Sequence, residues 1–301
     1  MEAPVAFDFP PIQRLHRSRI AKIHSVTHPT TAPTPVGDAA LDYSLAHHVL
    51  EGSETAARSS DSALFDWYGA NPDAGATDKL TPTAVGPRII LSPDRADMPR
   101  SPISETPYYV LRPETVQAPL SLRSIAASAY STAAGNGFAD LLATHAVVAC
   151  LLRTKQLGDT LDSWTITRLP GTVFLDHVSD PVVLARDLIH EASHNWLNDA
   201  LTATACKIND GELFYSPWKQ TTRPAFGFLH ACWAFPLTMI YTSRVLDRTS
   251  GDLQRFLAAY LDQQRILLAS TSDDHAHALQ LISDDGLRSR LHAVHHQALS
   301  L

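Results

Sequence analysis

Apolar residues recur at helical spacing over several long stretches of the chain. Within residues 253–268, leucines and aromatic residues follow the i, i+3, i+4, i+7 pattern of an amphipathic helix. Similar spacing predicts helices over 39–50 and 286–300, and residues 225–246 are apolar enough to form a buried helix. Residues 13–24 are read as a solvated basic helix, with a docking patch for an acidic peptide as the alternative. The pattern therefore predicts a mainly α-helical fold with a few short β-strands.

Short apolar runs bounded by prolines are the strand candidates. They lie at 89–91 and 108–111, and 165–175 reads as a strand pair or a bent strand with Pro170-Gly171 at the turn. Residues 121–154 read as two helices broken at 135–137, whereas 25–37, 52–62 and 202–222 read as connectors or loops. We expect an irregular and helical N-terminal lobe over 1–115 and a helical metal-binding catalytic domain over 116–301.

Composition narrows the classes of function. The 301 residues carry a net charge of -7, which argues against a general nucleic-acid binder. No apolar run is long enough to cross a membrane, and the N-terminus lacks a signal-peptide pattern. Three cysteines without a CxxC pair fit a reducing cytoplasm and disfavour a thiolate zinc site. We expect a cytoplasmic protein.

The strongest chemical signal is an HExxH motif, His190-Glu191-Ala192-Ser193-His194. Asp180 can cap a helix that begins at Pro181, so the motif falls inside a helix. Four residues are about one turn, which puts both histidines on one face about 6 Å apart along the axis. Two imidazoles so placed can bind one metal ion, and Glu191 lies beside it. The motif alone does not choose between zinc and iron.

A working metal site needs a third protein ligand. His230 is the preferred candidate, because it lies 36 residues after His194 on a separate buried helix that can pack across the first. Glu212 is the alternative, and it would complete a set of two histidines and one carboxylate that suits non-haem iron. A core histidine bonded to a backbone carbonyl is the other interpretation of His230.

Arg223 and Lys219 precede His230 and can attract an anionic ligand. Arg223 is seven residues before His230, so a continuous helix would put both on one face about 10 Å apart. That spacing suits a small dicarboxylate bridging a metal and a guanidinium. The alternative is that Arg223 only pairs with Asp210 or Glu212.

The segments LIHEASHNWLN and YSPWKQTTRPAFGFLHACWAF resemble the HExxH-motif peptide-modification family encoded beside ribosomally made peptide natural products. The match covers roughly residues 173–241. The resemblance implies an iron(II)- and 2-oxoglutarate-dependent peptide β-hydroxylase on a compact helical scaffold that is not a jelly roll. It also implies a precursor peptide and molecular oxygen as partners. It supports His190, His194 and His230 at the metal, Arg223 with Lys219 as cosubstrate-binding cations, and Glu191 as a supporting residue of the catalytic centre.

Two other interpretations stay open. In a zinc metallopeptidase, Glu191 would be the general base for a zinc-bound water, and His230 or Glu212 the third ligand. In a non-catalytic peptide-binding protein, four protein ligands would close a structural metal site. The remaining histidines are interpreted without metal: His145 as a hydrogen-bonded core residue, and His292, His295 and His296 as a wet helical face.

Overall fold

The computed structural model describes residues 7–28, 37–101, 104–209 and 211–301. The helices in these ranges are α1 (Pro10–Thr27), α2 (Ala39–Arg58), α3 (Ser62–Ala70), α4 (Leu120–Ala133), α5 (Ala139–His145), α6 (Pro181–Ala203), α7 (Ala225–Leu246), α8 (Gly251–Ala269), α9 (Ser272–Ala278) and α10 (Asp285–Leu299). The strands are β1 (Leu80–Thr83), β2 (Gly86–Leu91), β3 (Arg100–Ser101), β4 (Ser104–Pro107), β5 (Val148–Lys155), β6 (Ser163–Trp164), β7 (Thr172–Val178), β8 (Leu213–Ser216) and β9 (Thr221–Pro224). The predicted mainly α-helical class with short strands is confirmed.

Five of the strands form one open sheet in the order β1-β2-β5-β7-β6. Strands β2, β5 and β7 are parallel, and β1 and β6 pair antiparallel at the two edges. The pairs β3-β4 and β8-β9 are separate two-stranded sheets. This open sheet, flanked by helices, is not a jelly roll.

The predicted helix through residue 154 is wrong in its second half. Helix α5 ends at His145, and the apolar run that follows becomes β5, the central strand. A strand buried on both faces reads as a continuous apolar run, so periodicity alone does not separate it from a buried helix. The predicted break is present, because Gly137 adopts a φ of +88° between α4 and α5.

Four other local predictions are corrected or left open. Residues 52–58 continue α2 rather than forming a loop, and 108–111 contain no regular strand. The predicted loop over 202–222 contains the β8-β9 hairpin. Most of the connector predicted over 25–37 lies outside the described residues, as does Asp210.

Successive residues of β5 face two apolar cores. Val148 and Cys150 pack in the core that α2 covers, whereas Ala149 and Leu151 join the core formed with α4, α6 and α7. In the second core, the indole rings of Trp196 on α6 and Trp233 on α7 stack with centroids 4.6 Å apart. This packing fixes α7 beside α6 and so brings the two candidate ligand-bearing helices together. None of the described helices combines the length and apolar character that a membrane crossing requires.

Candidate metal centre

The helix that carries the HExxH motif begins as the sequence predicts. Pro181 is its first residue, and the Asp180 carboxylate accepts hydrogen bonds from the backbone N–H groups of Val182 and Val183 at 2.8 and 3.2 Å. Strand β7 ends two residues before this cap, so a very short connection joins the sheet to α6. The start of α6 is thereby held by both the cap and the sheet.

His190 and His194 present two nitrogen atoms to one point. Their Nε2 atoms lie 3.2 Å apart. Two imidazole nitrogens that each bind one ion at about 2.0–2.1 Å, at tetrahedral or octahedral angles, are themselves roughly 2.8–3.4 Å apart. A carboxylate oxygen of Glu191 completes a group whose atoms all lie within 4.8 Å of one another. The donor set and spacing therefore fit a metal ion.

His230 lies on the far side of the His194 ring. The Nδ1 atoms of His194 and His230 are 3.0 Å apart, so His194 stands between His190 and His230 and contacts each through a different nitrogen. The structure brings the three rings into contact, but the group of donor atoms that could hold one ion consists of His190, Glu191 and His194, with His230 outside it on the Nδ1 side of His194.

Two buried polar atoms in this cluster have no hydrogen-bond partner among the described residues. They are Nε2 of His230 and Oε2 of Glu191. Ser163 hydrogen-bonds the Glu191 carboxyl group, which leaves its second oxygen unsatisfied. Buried polar groups in native proteins are nearly always paired, and a bound cation is one standard way to satisfy a lone imidazole nitrogen and a carboxylate oxygen. The orphaned atoms thus point to a ligand at this position.

Burial and mutual repulsion keep the three imidazoles uncharged. Burial, and to a smaller extent the Arg223 guanidinium, lower the pKa of His194 to about 4. The pKa values of His190 and His230 lie well below the ordinary value, first because of burial and then because each faces His194. Burial raises the pKa of Glu191 to about 8. Neutral imidazole is the form that binds metals.

Arg223 reaches the site from a position that differs from the prediction. It belongs to β9, and α7 begins only at Ala225, so the expected helical spacing of Arg223 and His230 is wrong. The guanidinium instead folds over the first turn of α7, where a methyl group added to Gly227 would lie 3.1 Å from its Cζ atom. From there it acts electrostatically on both His194 and His230. Arg223 comes near the cluster because its side chain folds back over α7, and helix periodicity plays no part in this.

The histidines line a cleft of about 720 Å³. Its cationic lining residues include Lys219 and Arg223, and neither has a carboxylate partner within the part of the chain that the structure describes. One wall is aromatic: Trp218 stacks on Phe235 at 4.6 Å, and Phe235 meets the His190 ring edge-on at 4.9 Å. The Trp218 indole N–H donates to Gln264 Oε1 at 2.7 Å, which fixes this wall. Among the described residues, the cleft therefore combines two cations that have no carboxylate in contact, several lining carboxylates and an apolar side.

Glu212, the alternative third ligand, lies outside the residues that line this cleft. Its carboxylate is 3.5 Å from Nε2 of His277, and its backbone carbonyl accepts from Ala225 N. Sequence reasoning overlooked Arg186 and Asp187, which also line the cleft. They stand one helical turn before His190 and Glu191, so the helical spacing of the motif was the signal that could have found them.

Of the four histidines interpreted above without metal, two are buried and two are exposed. His145 lies 3.6 Å from the Asp199 carboxylate, but its Nδ1 makes no hydrogen bond with a described residue. The prediction of a wet C-terminal face is correct for His292 and His296 and wrong for His295. His295 is buried and stacks on His275 with ring centroids 3.9 Å apart.

The chain was compared with protein-family models and with curated proteins. No protein-family model matches the chain, and no curated protein matches its sequence.

Proposed function

We propose that the protein is an iron(II)- and 2-oxoglutarate-dependent oxygenase that hydroxylates the β-carbon of a side chain in a ribosomally made precursor peptide. The observation that carries this proposal is the pair of cations beside the histidine cluster. Arg223 and Lys219 line the same cleft as His190, His194 and His230, and no described carboxylate neutralises them. Their side chains are therefore available to bind an anionic cosubstrate.

In this proposal the histidines hold iron(II), with the converging Nε2 atoms of His190 and His194 as the first two ligands. His230 is proposed as the third, on the strength of its unpaired Nε2; it would have to turn toward the ion, because its Nδ1 now contacts Nδ1 of His194. Iron(II) and 2-oxoglutarate together supply the chemistry that places one atom of O₂ in a C–H bond and the other in succinate, with release of CO₂.

The chain's own residues bind and orient the reactants. The Arg223 guanidinium presents parallel N–H donors to the distal carboxylate of 2-oxoglutarate, and Lys219 adds positive potential at the exposed rim. Glu191, held by Ser163, lies beside the two motif histidines and would orient them. The stacked Trp218 and Phe235 keep water from the His190 side of the cleft.

The test is a reaction of the iron-loaded protein with 2-oxoglutarate, O₂ and the precursor peptide encoded beside it. We expect succinate in step with a peptide that is heavier by one oxygen atom. Arg223→Ala should suppress succinate formation, with Arg255→Ala, on the exposed surface of α8, as the matched control. Succinate formation that is unaffected by Arg223→Ala would refute the role of Arg223 as the clamp that holds the distal carboxylate of 2-oxoglutarate.

A zinc metallopeptidase is the second candidate, because Glu191 stands within 4.8 Å of both motif histidines. It would cleave the peptide without oxygen, and Glu191→Gln would abolish cleavage. Anaerobic spectroscopy separates the two functions. An absorption band that appears when 2-oxoglutarate is added to the iron-loaded protein supports the oxygenase, whereas tightly held zinc with no such band supports the peptidase.

A further inference from the structure

A second cleft, of about 450 Å³, adjoins the one that the histidine cluster lines. The two clefts share three lining residues: Asn198 of α6, Thr167 of the segment between β6 and β7, and Phe226 at the start of α7. The Phe226 ring also contacts the His230 ring, with centroids 4.4 Å apart. The second cleft therefore lies directly beside the histidine cluster.

Helix α6 forms the floor of both clefts. Its lining residues recur at helical spacing from Val183 to Asn198 in the first cleft and continue to Thr202 in the second. At 1.5 Å per residue, this row of side chains is roughly 28 Å long. An extended peptide rises about 3.3 Å per residue, so roughly eight of its residues would span the row. The two clefts together have the length that a peptide segment needs.

The second cleft carries accessible positive charge. Its lining cations are Arg19 on α1 and Lys207 after α6, and neither forms an ion pair with a described carboxylate. Arg19 donates from Nη1 to the Tyr43 hydroxyl at 3.1 Å, and its Nε and Nη2 atoms are neither enclosed nor bonded to a described residue. Lys207 is exposed. The carboxylate that lines the cleft, Asp199, is buried and engaged by His16 at 2.8 Å and by Tyr43 at 3.3 Å.

We propose that the substrate peptide lies extended along α6 and that the second cleft binds an acidic side chain of this peptide, held by Arg19 and Lys207. Asp199 and Thr202, which line only the second cleft, are roughly 10–15 Å along α6 from the midpoint of the two motif histidines. That distance corresponds to about three or four extended residues, which sets the separation between the acidic residue and the residue that is modified. The inference deepens the proposed function and rests on the modified residue occupying the first cleft.

The test uses probes that are anchored on the metal. Alanine peptides carry a hydroxamate at the C-terminus, or at the N-terminus through a malonyl group, and one glutamate at a separation of one to six residues. Each has a twin with glutamine in place of glutamate. Dissociation constants are measured by calorimetry on Zn(II)-loaded protein, because zinc binds imidazole and has no redox chemistry. In one of the two series, we expect glutamate to bind about tenfold more tightly than glutamine at a separation of three or four, and about equally at one and six.

The variants identify the cations that are responsible. Lys207→Gln should lower the glutamate preference by roughly two- to fivefold, and Arg19→Gln should remove most of it. Arg17→Gln is the matched control, because Arg17 is exposed on the opposite face of α1 and should not matter. Arg19 also contacts Tyr43, so the exposed Lys207 decides where Arg19→Gln fails to fold. A glutamate preference that is absent, independent of the separation or unchanged in Lys207→Gln overturns the acidic subsite.

A pair of blocked amino acids separates this result from the metal chemistry. N-acetylglutamate amide and N-acetylglutamine amide are titrated into metal-free protein and followed by ligand-observed NMR. A preference for the glutamate derivative that falls in Lys207→Gln but not in Arg17→Gln supports the subsite even where no hydroxamate binds. Hydroxamate binding without any glutamate preference overturns the subsite and leaves the metal centre standing. Glutamate selectivity at the expected separation without succinate formation overturns the oxygenase alone.

Discussion

Gly227→Ala tests the position of the Arg223 guanidinium, because an added methyl group would take the space that this group occupies. A Cβ atom at position 227 would lie 3.1 Å from Cζ and Nη2 of Arg223 and 3.2 Å from its Nε. Optimal separations between such atoms are about 3.5–4.0 Å, so the guanidinium plane must retreat by roughly 0.3–0.9 Å. The guanidinium ends a flexible side chain, whereas Gly227 is fixed in the first turn of α7. Arg223 should therefore move and the helix should stay.

The two expected effects have opposite signs. Alanine is the better helix former by up to about 1 kcal/mol, so the melting temperature should stay level or rise by roughly 2 °C. A displaced guanidinium should bind the distal carboxylate of 2-oxoglutarate about tenfold more weakly, which is about 1.4 kcal/mol of the roughly 1.5–3 kcal/mol expected for a hydrogen bond to a charged group. The assay is calorimetric titration of 2-oxoglutarate into Mn(II)-loaded protein without oxygen, alongside a thermal melt.

Gly69→Ala is the matched control, because Gly69 lies in α3 and has nothing within 4 Å of an added Cβ atom. It should leave 2-oxoglutarate binding unchanged. Unaltered 2-oxoglutarate affinity in Gly227→Ala would refute the placement of the clamp, and a large loss of stability would refute the reasoning about which group retreats.

Three further predictions concern the metal and the scaffold. Adding Mn(II) at about 100 times its dissociation constant should raise the free energy of unfolding by about 2.7 kcal/mol, and His190→Ala or His194→Ala should abolish the accompanying rise in melting temperature. Gly171→Ala should lower the free energy of unfolding in urea by about 2 kcal/mol or more, because Gly171 has a φ of +75° and its Cβ atom would overlap Ser44 Oγ. Stability should also fall with acidity, because burial lowers the pKa of His275 to about 3 and of His295 to about 4 from an ordinary value of 6.5. The unfolded chain then binds more protons between pH 6.5 and about 4, so each histidine removes roughly 1.4 kcal/mol per pH unit over that window and nothing at neutral pH.

Each of these has a control and a contradicting outcome. His277→Ala, at an exposed histidine, should keep the rise in melting temperature that Mn(II) causes. If that rise also persisted in His190→Ala, the ion would bind elsewhere. Gly158→Ala, with a φ of +95° and open space, should cost less than Gly171→Ala, and equal losses would remove the steric argument. His295→Phe should flatten the acid slope of urea-unfolding curves whereas the exposed His292→Ala should not, and an unchanged slope in His295→Phe would contradict the buried-histidine account.

Periodicity and capping were sufficient to locate the long helices, although not every helix end. The bounds of α7 match the predicted 225–246, and Asp180 caps α6 as its sequence position indicates. These features depend on residues within a turn or two of each other, so the local sequence contains the information. The helix predicted over the apolar run around Val148 was wrong because the information there is not local. Pairing with the neighbouring strands β2 and β7 makes this run a strand.

The sequence by itself determined that two histidines share one helical face, because four residues make about one turn wherever the helix forms. The tertiary structure decided what surrounds them. It stacked Trp196 on Trp233 and so set His230 against His194, and it folded Arg223 back over Gly227 from a strand. It also placed Arg186 and Asp187 in the lining of the cleft. These contacts join elements far apart in the chain, and the packing that creates them has no period that a sequence can display.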